Sequence, residues 1–544
     1  MEIKNLALLS ASILIGLLLR FTNLTAKPPW TDEFATLVFS LGNNYDSVPL
    51  NQVISREVLL SPLRYNHSAS GIDVFHLLID KDNHPPLYFI LSHWWLNLFP
   101  RGDEYVSLWA MRSLPALFGV LAILLAYFLG NLTFQSRKAG HLSAMMMAVS
   151  PYGVFLSQEA RHYSWGIVLV MLSLICFVAA GHYLNEQKYL PLTPVSGWII
   201  INGLGLLSHY FFSLTLLAQA IVLGCLLIYQ IRRGRVKYNL WIRMSWVWLG
   251  TAIIALSWWV TWFPRHHGNG MTAWIQGNYS NIIALISPVF QLLAAWITMI
   301  ALLPVEADSL AIIILSVLLM LWFFWRVIPP LKKGLIALLR QSSSPLPISM
   351  LVGFIAASIA LFFAITYGLG LDITRGARYS FVYFPAVIII VGGCLAFNWE
   401  NGRKSLVILV LLMGLISSLT VVFNLGYRKY YLSDRFVQTL AQNSQYPILL
   451  ATTHQSLVQV GEMMGIAWVI QEQFSFLKPR YILISEEPRL EATLRLSKIV
   501  SEFPHPLEVW AVNFNGDVNL PGCFTDTSQL PHVNGYGYKK YLCK

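Results

Sequence analysis

The chain has 544 residues, of which 56% are hydrophobic and only 12% are charged. Soluble proteins usually carry about 25% charged residues, so this composition excludes a water-soluble enzyme. The 13% aromatic share and the many apolar runs exclude a disordered chain. The net charge of +11 would suggest nucleic-acid binding in a soluble protein, but the basic residues lie mainly in short loops between apolar runs. The sequence therefore predicts a polytopic membrane protein.

Apolar runs that reach or approach the length needed to cross a bilayer, about 20 residues, recur from residue 5 to residue 424. Eleven are predicted to span the membrane: 5–21, 112–132, 139–157, 163–184, 195–208, 211–231, 244–263, 309–325, 349–369, 380–398 and 405–424. Two more runs, 85–99 and 281–303, are ambiguous. The predicted fold class is a polytopic α-helical membrane protein with these spans and additional interfacial helices.

Basic loops orient the spans, because Lys and Arg are enriched in cytoplasmic loops. The loops richest in cations are 137–138, 188, 232–237, 326–340 and 403–404. They lie on one side of the membrane only if neither 85–99 nor 281–303 crosses it. The first of these runs is short and bounded by prolines, which favours an interfacial helix. The second is long enough to cross, and the charge argument alone counts against it.

The residues from 425 onward return to the composition of a soluble domain and are predicted to lie on the extracytoplasmic side. The strand-like runs PILLATT, RYILISEE and EVWAVNF predict a small α/β domain at 425–544. It follows a transmembrane domain at 1–424, whose first external loop is 22–111. Cys523 and Cys543 lie in this C-terminal region, where a disulfide requires an oxidising compartment.

The interiors of the predicted spans carry no Asp, Glu, Lys or Arg. Ion-coupled transporters and voltage-gated channels place ionisable residues at such positions, so the pattern argues against both classes. The candidate chemistry instead lies in loops assigned to the outside. Four motifs in those loops carry it.

The first motif follows the first span and reads Pro28-Pro29-Trp30-Thr31-Asp32-Glu33-Phe34. In a structural interpretation, Thr31 or Asp32 is the N-cap of a helix whose first turn favours acids. In a functional interpretation, one carboxylate is a general base that accepts a proton from an acceptor hydroxyl. Both interpretations remain open at this point.

The second motif lies late in the first external loop and reads Asp82-Asn83-His84-Pro85-Pro86-Leu87-Tyr88-Phe89. Its prolines suit the start of a helix, where a missing N–H group costs little. They do not explain His84, which is expected to face the same surface as Asp32. A rigid entry turn and a functional histidine are therefore both open.

The third and fourth motifs lie at later outer turns, 157–163 and 372–379. In the third, Glu159 and Arg161 form either a capping pair with a snorkelling arginine or part of a site. In the fourth, two arginines occur within four residues on a side where few cations are expected. The guanidinium fork suits a phosphate, and anchoring to lipid headgroups is the alternative.

Taken in order, these motifs resemble those of the integral-membrane glycosyltransferases of the GT-C class. The sequence is most similar to the dolichyl-phosphate-mannose–protein mannosyltransferase superfamily and its bacterial relatives, glycosyltransferase family 39 and the aminoarabinose transferases. The matching pieces are Trp30–Glu33, His84–Tyr88, Arg112–Gly119, Ser150–Pro151, Gln158–Tyr163, His209–Tyr210, and Arg378–Tyr379 with Pro385. The resemblance is tightest over 25–215, thin over 215–370, and has no counterpart after 425.

The resemblance implies that a polyprenyl-phosphate sugar donates from the outer leaflet, with inversion at the anomeric carbon. It implies that Asp32 is the general base, with Glu33 beside it and Glu159 as a second acid. It also implies that cations hold the donor phosphate, and the candidates are Arg378, Arg112, His84, Arg161 and Arg375.

The resemblance further implies that no cofactor is needed, because the activated donor already carries its leaving group. A divalent metal between Asp32 and the phosphate is compatible with the residues but not required. The expected partners are the lipid-linked donor, a lipid, polysaccharide or protein acceptor, and membrane lipids, but no nucleic acid. The expected location is the plasma (inner) membrane, with the active site and C-terminal domain outside the cytoplasm.

Three rival functions remain. A lipid-linked-sugar flippase or other transporter needs a polar path, and no polar stripe runs through the spans. An O-antigen-ligase-like enzyme also uses outer-loop arginines, but the early acid pair followed by His84-Pro85-Pro86 favours the first family. A non-catalytic scaffold does not explain acids and arginines on one side. Walker, GxGxxG, HExxH, CxxC and GxSxG motifs are absent, so nucleotide-binding and zinc-hydrolase functions lack support.

Overall fold

The computed structural model describes residues 2–99, 105–186, 188–234, 236, 238–263, 273–277, 281–341, 345–486, 489–516, 518–526 and 530–544. The chain forms two compact units, each discontinuous in sequence. The first unit comprises Met1–Leu24, Leu78–Tyr88 and Arg112–Tyr427, and the second comprises Thr25–Leu77, Phe89–Met111 and Arg428–Lys544. One break lies close to the predicted domain boundary at 424. Most of the predicted first external loop, however, groups with the C-terminal residues.

Twenty α-helices occur in the described residues. In chain order they are α1 (Glu2–Phe21), α2 (Thr31–Ser40), α3 (Arg56–Leu59), α4 (Gly71–Lys81), α5 (Leu87–Leu96), α6 (Leu108–Phe134), α7 (Arg137–Ala148), α8 (Pro151–Ser157), α9 (Tyr163–Glu186), α10 (Leu192–Leu206), α11 (Phe212–Arg232), α12 (Tyr238–Thr261), α13 (Ile282–Ile300), α14 (Leu310–Gln341), α15 (Pro345–Phe363), α16 (Phe384–Glu400), α17 (Lys404–Val422), α18 (Ser433–Asn443), α19 (Leu457–Gln473) and α20 (Arg489–Glu502).

Eight helices in the described part of the chain are long and apolar enough to cross a membrane: α6, α9, α11, α12, α13, α14, α15 and α17. Shorter apolar helices accompany them in α1, α10 and α16. The predicted class, a multi-pass helical membrane protein, is confirmed. The run 85–99 forms only the 10-residue α5, which is too short to cross a bilayer. The ambiguous run 281–303, by contrast, forms α13, whose length and composition suit a crossing.

The prediction of one continuous span at 139–157 is wrong, because these residues form two helices, α7 and α8, separated at Val149 and Ser150. Pro151 lacks the N–H group that would continue the hydrogen-bond ladder of α7. Ser150 instead caps α8, and its hydroxyl accepts from the Gly153 N–H at 3.3 Å. Neither half is long enough to cross a bilayer alone.

A buried arginine stabilises this break. Arg20, at the end of α1, is fully buried and donates to the carbonyls of Met147 and Ala148, at 3.0 and 3.1 Å. These are among the last carbonyls of α7, which have no partner within the helix. In return, the Gln158 amide donates to the Thr22 carbonyl at 3.0 Å. The ends of α1 and α7 therefore satisfy one another through side chains.

The second unit contains a mixed six-stranded sheet of order β1-β3-β2-β4-β6-β5. Its strands are β1 (Val53–Ile54), β2 (Ile448–His454), β3 (Arg480–Ser485), β4 (Leu507–Val512), β5 (Cys523–Thr525) and β6 (Tyr538–Cys543). β2, β3 and β4 are parallel, and α19 and α20 connect them, while β1, β5 and β6 run antiparallel to their neighbours.

The three predicted strand runs coincide with β2, β3 and β4, and the predicted small C-terminal α/β sheet domain is confirmed. The sheet also includes β1 from the first external loop, and the sequence did not predict this pairing. Asn51 secures this edge, because its N–H donates to the Leu483 carbonyl at 2.8 Å and its side chain accepts from the Ser485 N–H at 3.0 Å. Cys523 and Cys543 lie opposite one another on β5 and β6 and form a disulfide.

Candidate active site

The predicted acid pair lies in the first turn of α2, in the second unit. The helix begins at Thr31 and Trp30 is its N-cap, so the expectation that Thr31 or Asp32 caps the helix is wrong. Trp30 takes the extended backbone of a cap residue but supplies no side-chain capping bond. Asp32 and Glu33 therefore both lie at the positive end of the helix dipole, which favours carboxylates.

Close packing on α19 fixes this end of α2. A Cβ atom on Gly461 would lie 3.2 Å from the Cα atom of Thr31, so a larger residue there would push the two helices apart. One turn further along, Phe34 and Trp468 pack edge to face with ring centroids 6.4 Å apart. The acid pair is thus held by residues of the C-terminal region.

The two acids differ in exposure. Glu33 is completely buried, and its Oε2 lies 3.9 Å from Nζ of Lys429, whose side chain is 8% exposed. The same ammonium lies over the Trp30 ring, 5.1 Å from its centroid. A buried carboxylate without a partner would cost several kcal/mol, so Lys429 makes the burial of Glu33 tolerable. Asp32 is only half-buried, which leaves it as the acid that a substrate can reach.

Tyr431 lies in the same unit as Asp32, near enough for the charge of Asp32 to act on its hydroxyl. Burial raises the pKa of Tyr431 well above its usual value, and the charges of Glu462 and Asp32 raise it further. Its hydroxyl therefore stays protonated and donates to the Glu462 carboxylate. Burial also raises the pKa of Glu462, against the hydrogen bonds from Asn513 and Tyr431.

A second polar cluster lies in the first unit, and a chain of three side chains organises it. His84 Nδ1 lies 3.0 Å from Oδ2 of Asp82, and His84 Nε2 lies 3.3 Å from Nη2 of Arg161. Guanidinium groups only donate, so Nε2 accepts and the ring proton is assigned to Nδ1, which donates to Asp82. Both ring nitrogens are engaged, which does not fit the prediction that His84 itself binds the donor phosphate. In this geometry His84 orients Arg161.

Asp82 is the fully buried end of that chain. Burial acts to raise its pKa, but the interaction with His84 and the hydrogen bond from the Asn83 N–H outweigh this, and the net direction is downward. The group is therefore a carboxylate, in an environment that tolerates it only because of these partners. Asp82 belongs to the second sequence motif, but the sequence did not indicate its role.

Two further histidines lie against this chain. The rings of His162 and His209 pack edge to face with centroids 4.4 Å apart, and His84 lies 5.7 Å from His162. Burial lowers the pKa of both His162 and His209 well below the usual value, and the positive charges of Arg161 and Arg378 lower it further. His209 Nδ1 accepts from the Phe211 N–H at 3.0 Å, which assigns its proton to Nε2.

Arg378 lies in the turn before α16, near enough for its charge to act on both imidazoles. Its guanidinium lies 5.2 Å from the ring centroid of Trp274 and 5.6 Å from that of Tyr379. The buried hydroxyl of Tyr152 contacts the carbonyls of Ala377 and Arg378, each at 3.0 Å, and so fixes the backbone that carries the arginine. The structure thus brings Arg161, His84 and Arg378 together around the two histidines.

The other predicted cations have different surroundings. Arg375 donates from Nε to Asp372 at 3.2 Å and from Nη1 to the carbonyls of Trp274 and Gln276, at 2.8 and 3.2 Å. These contacts tie two loops together and do not fit the predicted phosphate role. Arg112 is buried, and its Nη1 donates to the Leu24 carbonyl at 2.9 Å.

Glu159, the predicted second acid, is 2% exposed and lies between α8 and α9. Its carbonyl accepts from the Arg161 N–H at 2.7 Å, so the turn that carries it also positions Arg161. Among the described residues, no group of three or more His, Cys, Asp or Glu side chains could hold a metal ion. The expectation that the chemistry needs no metal stays a prediction.

Comparisons with known proteins point in one direction. Residues 83–263 match the family model for dolichyl-phosphate-mannose–protein mannosyltransferase. No curated protein sequence matches the chain. Among solved structures, ArnT from Cupriavidus metallidurans bound to undecaprenyl phosphate superposes with a TM-score of 0.51 at 10% identity, over 99% of this chain and 97% of that one.

The oligosaccharyltransferase of Archaeoglobus fulgidus in its apo form gives a TM-score of 0.49 at 13% identity, over 93% of this chain and 69% of that one. The chain has the GT-C fold that it shares with ArnT. The resemblance to the GT-C glycosyltransferases that the sequence motifs indicated is confirmed.

Proposed function

We propose that this GT-C-fold membrane protein is an inverting glycosyltransferase that moves a sugar from a polyprenyl-phosphate carrier to an acceptor hydroxyl on the extracytoplasmic side. The observation that carries the proposal is the placement of two arginines beside two buried histidines: Arg161 meets His84, whose ring lies 5.7 Å from that of His162, and Arg378 lies over Tyr379, whose ring lies 6.5 Å from that of His209. Most of this cluster lies within residues 83–263, the segment that matches the mannosyltransferase family model. The lipid phosphate in ArnT supports a carrier of the same chemical class.

The donor phosphate is assigned to the guanidinium groups of Arg161 and Arg378. Paired planar donors suit phosphate oxygens, and His84 holds the first of them in place from its far side. The phosphate is negative in both donor and product. These contacts therefore accelerate the reaction only where they strengthen as charge builds on the departing oxygen.

The general base is assigned to Asp32. Its carboxylate accepts the proton of the acceptor hydroxyl while that oxygen forms a bond to the anomeric carbon. The bond from the anomeric carbon to the phosphate oxygen breaks at the same time, and the lipid phosphate leaves with the electron pair. General-base catalysis contributes about 10²–10⁴-fold. Glu33 is assigned a structural role, because it is fully buried against Lys429.

The location is proposed to be the plasma membrane, with the C-terminal sheet outside the cytoplasm. The disulfide between Cys523 and Cys543 supports this side, because disulfides persist mainly in oxidising compartments.

The test uses the full chain in lipid nanodiscs with an undecaprenyl-phosphate hexose radiolabelled in the sugar. We expect label to leave the lipid, as transferred or released sugar, with one lipid phosphate formed for each sugar. A flippase would move the intact donor across a vesicle bilayer without consuming it, and a scaffold would do neither. Transfer of a preassembled oligosaccharide instead of a single sugar would favour the ligase-like alternative. An intact donor under all conditions would overturn the proposal.

A further inference from the structure

The second unit contains a polar cavity next to the segment that contacts the acid pair. Its volume is about 170 Å³, and it is lined by Tyr430, Asn513 and residues 532–537. A single water needs about 10–15 Å³ of such space, so the cavity has room for a ligand of monosaccharide size.

Specific contacts within the chain shape the wall of the cavity. Asn513 ends β4 in a left-handed conformation (φ 45°), and its side chain donates to the Gly535 carbonyl and accepts from the Gly537 N–H, at 2.9 and 2.7 Å. Gly535 also has a positive φ of 84°, and a Cβ atom there would lie 2.7 Å from the Cα atom of Tyr431. Only glycine fits this close approach. The shape of the turn is therefore fixed by contacts within the chain.

Contacts connect this wall to Tyr431, which lies near the proposed base. The Asn513 amide also donates to Glu462 at 2.9 Å, and Glu462 accepts from Tyr431, whose hydroxyl the charge of Asp32 reaches. Tyr430 lines the cavity and packs edge to face against Tyr431, with ring centroids 5.2 Å apart. The cavity wall is thus joined by contacting side chains to Tyr431, and Tyr431 lies within reach of the Asp32 charge in the same unit.

The residues that line the cavity favour one class of ligand. The described residues around the cavity include no Asp, Glu, Lys or Arg, which disfavours phosphate and other ions. They offer an imidazole at position 532, the carboxamide of Asn534, and the exposed ring of Tyr430, which is 72% accessible. Hydrogen-bonding groups beside a free aromatic face suit a neutral ring that carries hydroxyls.

We infer that this cavity is the acceptor subsite and that the acceptor is a saccharide, one of whose hydroxyls is delivered to Asp32. The inference rests on the proposed function and narrows its acceptor from lipid, polysaccharide or protein to a carbohydrate. Tyr430 supplies the stacking face, and His532 and Asn534 supply hydrogen bonds to the sugar hydroxyls. The donor site is not involved in this binding step.

The test measures saturation-transfer NMR on the full chain in nanodiscs, without donor. The probes are the methyl α-glycosides of glucose, mannose and galactose. We expect saturation of the ring protons of at least one glycoside, reduced at least fivefold in Tyr430→Ala and largely retained in Tyr430→Phe. The matched control is Tyr446→Ala, which removes another exposed tyrosine of the same unit and should leave the signal unchanged.

Failure of the inference and failure of the proposed function give different results. If donor is consumed but no glycoside shows saturation that depends on Tyr430, the subsite is wrong and the transferase stands. If a glycoside binds through Tyr430 but donor is never consumed, the subsite stands as a carbohydrate site and the transferase is wrong. Displacement of the bound glycoside by inorganic phosphate would overturn the assignment to a neutral ligand.

Discussion

In the first unit the buried Asp82 meets its partner His84 two residues along the chain, whereas in the second unit the buried Glu33 meets Lys429 from the C-terminal region. Both carboxylates need a partner, because an isolated charge is expensive to bury. The first unit solves this problem within one sequence motif. The second solves it through long-range packing of α2 on residues beyond 428.

The difference affects what each carboxylate can do. The Asp82–His84–Arg161 chain uses its carboxylate to orient a cation, so substitutions there should act on donor binding. In the second unit the burial of Glu33 leaves its half-buried neighbour Asp32 accessible, so substitution of Asp32 should act on turnover. Substitutions in the two regions should therefore change different kinetic parameters: the donor KM in the first unit and kcat in the second.

The largest effect is expected for Asp32→Asn. The amide cannot accept the acceptor's proton, so kcat should fall by about 10²–10⁴-fold while the protein still inserts and binds donor. Transfer of labelled sugar in nanodiscs measures this. Asp46→Asn, which changes an exposed acid of the same unit, serves as the control and should be silent. Undiminished turnover by Asp32→Asn would remove the assignment of the base.

The next largest effect is expected for Asp82→Asn. Loss of the carboxylate removes a charge-assisted hydrogen bond of about 1.5–3 kcal/mol and leaves the His84 tautomer unfixed, so Arg161 loses its orientation. The donor KM should rise about 10- to 100-fold, with the acceptor KM unchanged.

Asp80→Asn is the matched control for that variant, because Asp80 is exposed and lies two residues earlier in the same unit. A purely structural role for Asp82 would instead lower the melting temperature and reduce kcat without changing the donor KM. That outcome would contradict the positioning role of the chain.

A smaller effect is expected for Arg378→Ala, with a donor KM raised about tenfold, equivalent to about 1.4 kcal/mol. Arg378→Lys should not restore binding, because an ammonium lacks the planar fork that stacks on Trp274 and Tyr379. Arg137→Ala changes an exposed arginine at the start of α7 and is the control. An unchanged donor KM in Arg378→Ala would count against the phosphate assignment.

The last prediction concerns not turnover but the stability of the first unit and its dependence on pH. The pKa values of His162 and His209 are lowered on folding, whereas an unfolded histidine titrates near about 6.5. Above that pH both states are neutral and stability is complete. As the pH falls below about 6.5, the unfolded chain gains protons that the folded chain does not, and stability decreases by up to about 1.4 kcal/mol per pH unit for each imidazole.

Thermal unfolding in detergent between pH 7.5 and 5.5 measures this dependence. His162→Phe should flatten it, and His67→Phe, at an exposed position of the other unit, should not. A melting temperature that is independent of pH would show that the two imidazoles titrate alike in both states.

Much of the fold could be predicted from the sequence because it depends on local patterns. Apolar runs predicted most of the membrane helices, and three strand-like runs predicted β2, β3 and β4. The break between α7 and α8 was not predicted, although Ser150 and Pro151 are typical of the start of a helix. The surrounding residues are so apolar that the whole run favours a single span. The strand β1 was missed because two residues carry no recognisable period.

The residues of the candidate site also differ in whether the sequence could predict them. His84 and Arg161 were identified from motifs. The role of His84, however, depends on the partner of each ring nitrogen, and those partners are set only by the folded structure. The contacts of Arg375 with Asp372 and two carbonyls could not be predicted from its motif, and its phosphate role stays a prediction. Lys429, Tyr431 and Glu462 carried no local signal, since nothing in their own neighbourhoods indicates that α2 packs beside them.

By itself, the sequence determined that the chain is a membrane protein with several spans, that a small α/β region follows, and where its charged motifs lie. These properties follow from the hydrophobicity of each segment and from the spacing of its apolar residues. Both are independent of the rest of the chain. Only the tertiary structure decided which buried charge meets which partner, and therefore which acid stays accessible. The physical reason is that a buried charge is tolerated through contacts between residues distant in sequence, and those contacts exist only once the chain has folded.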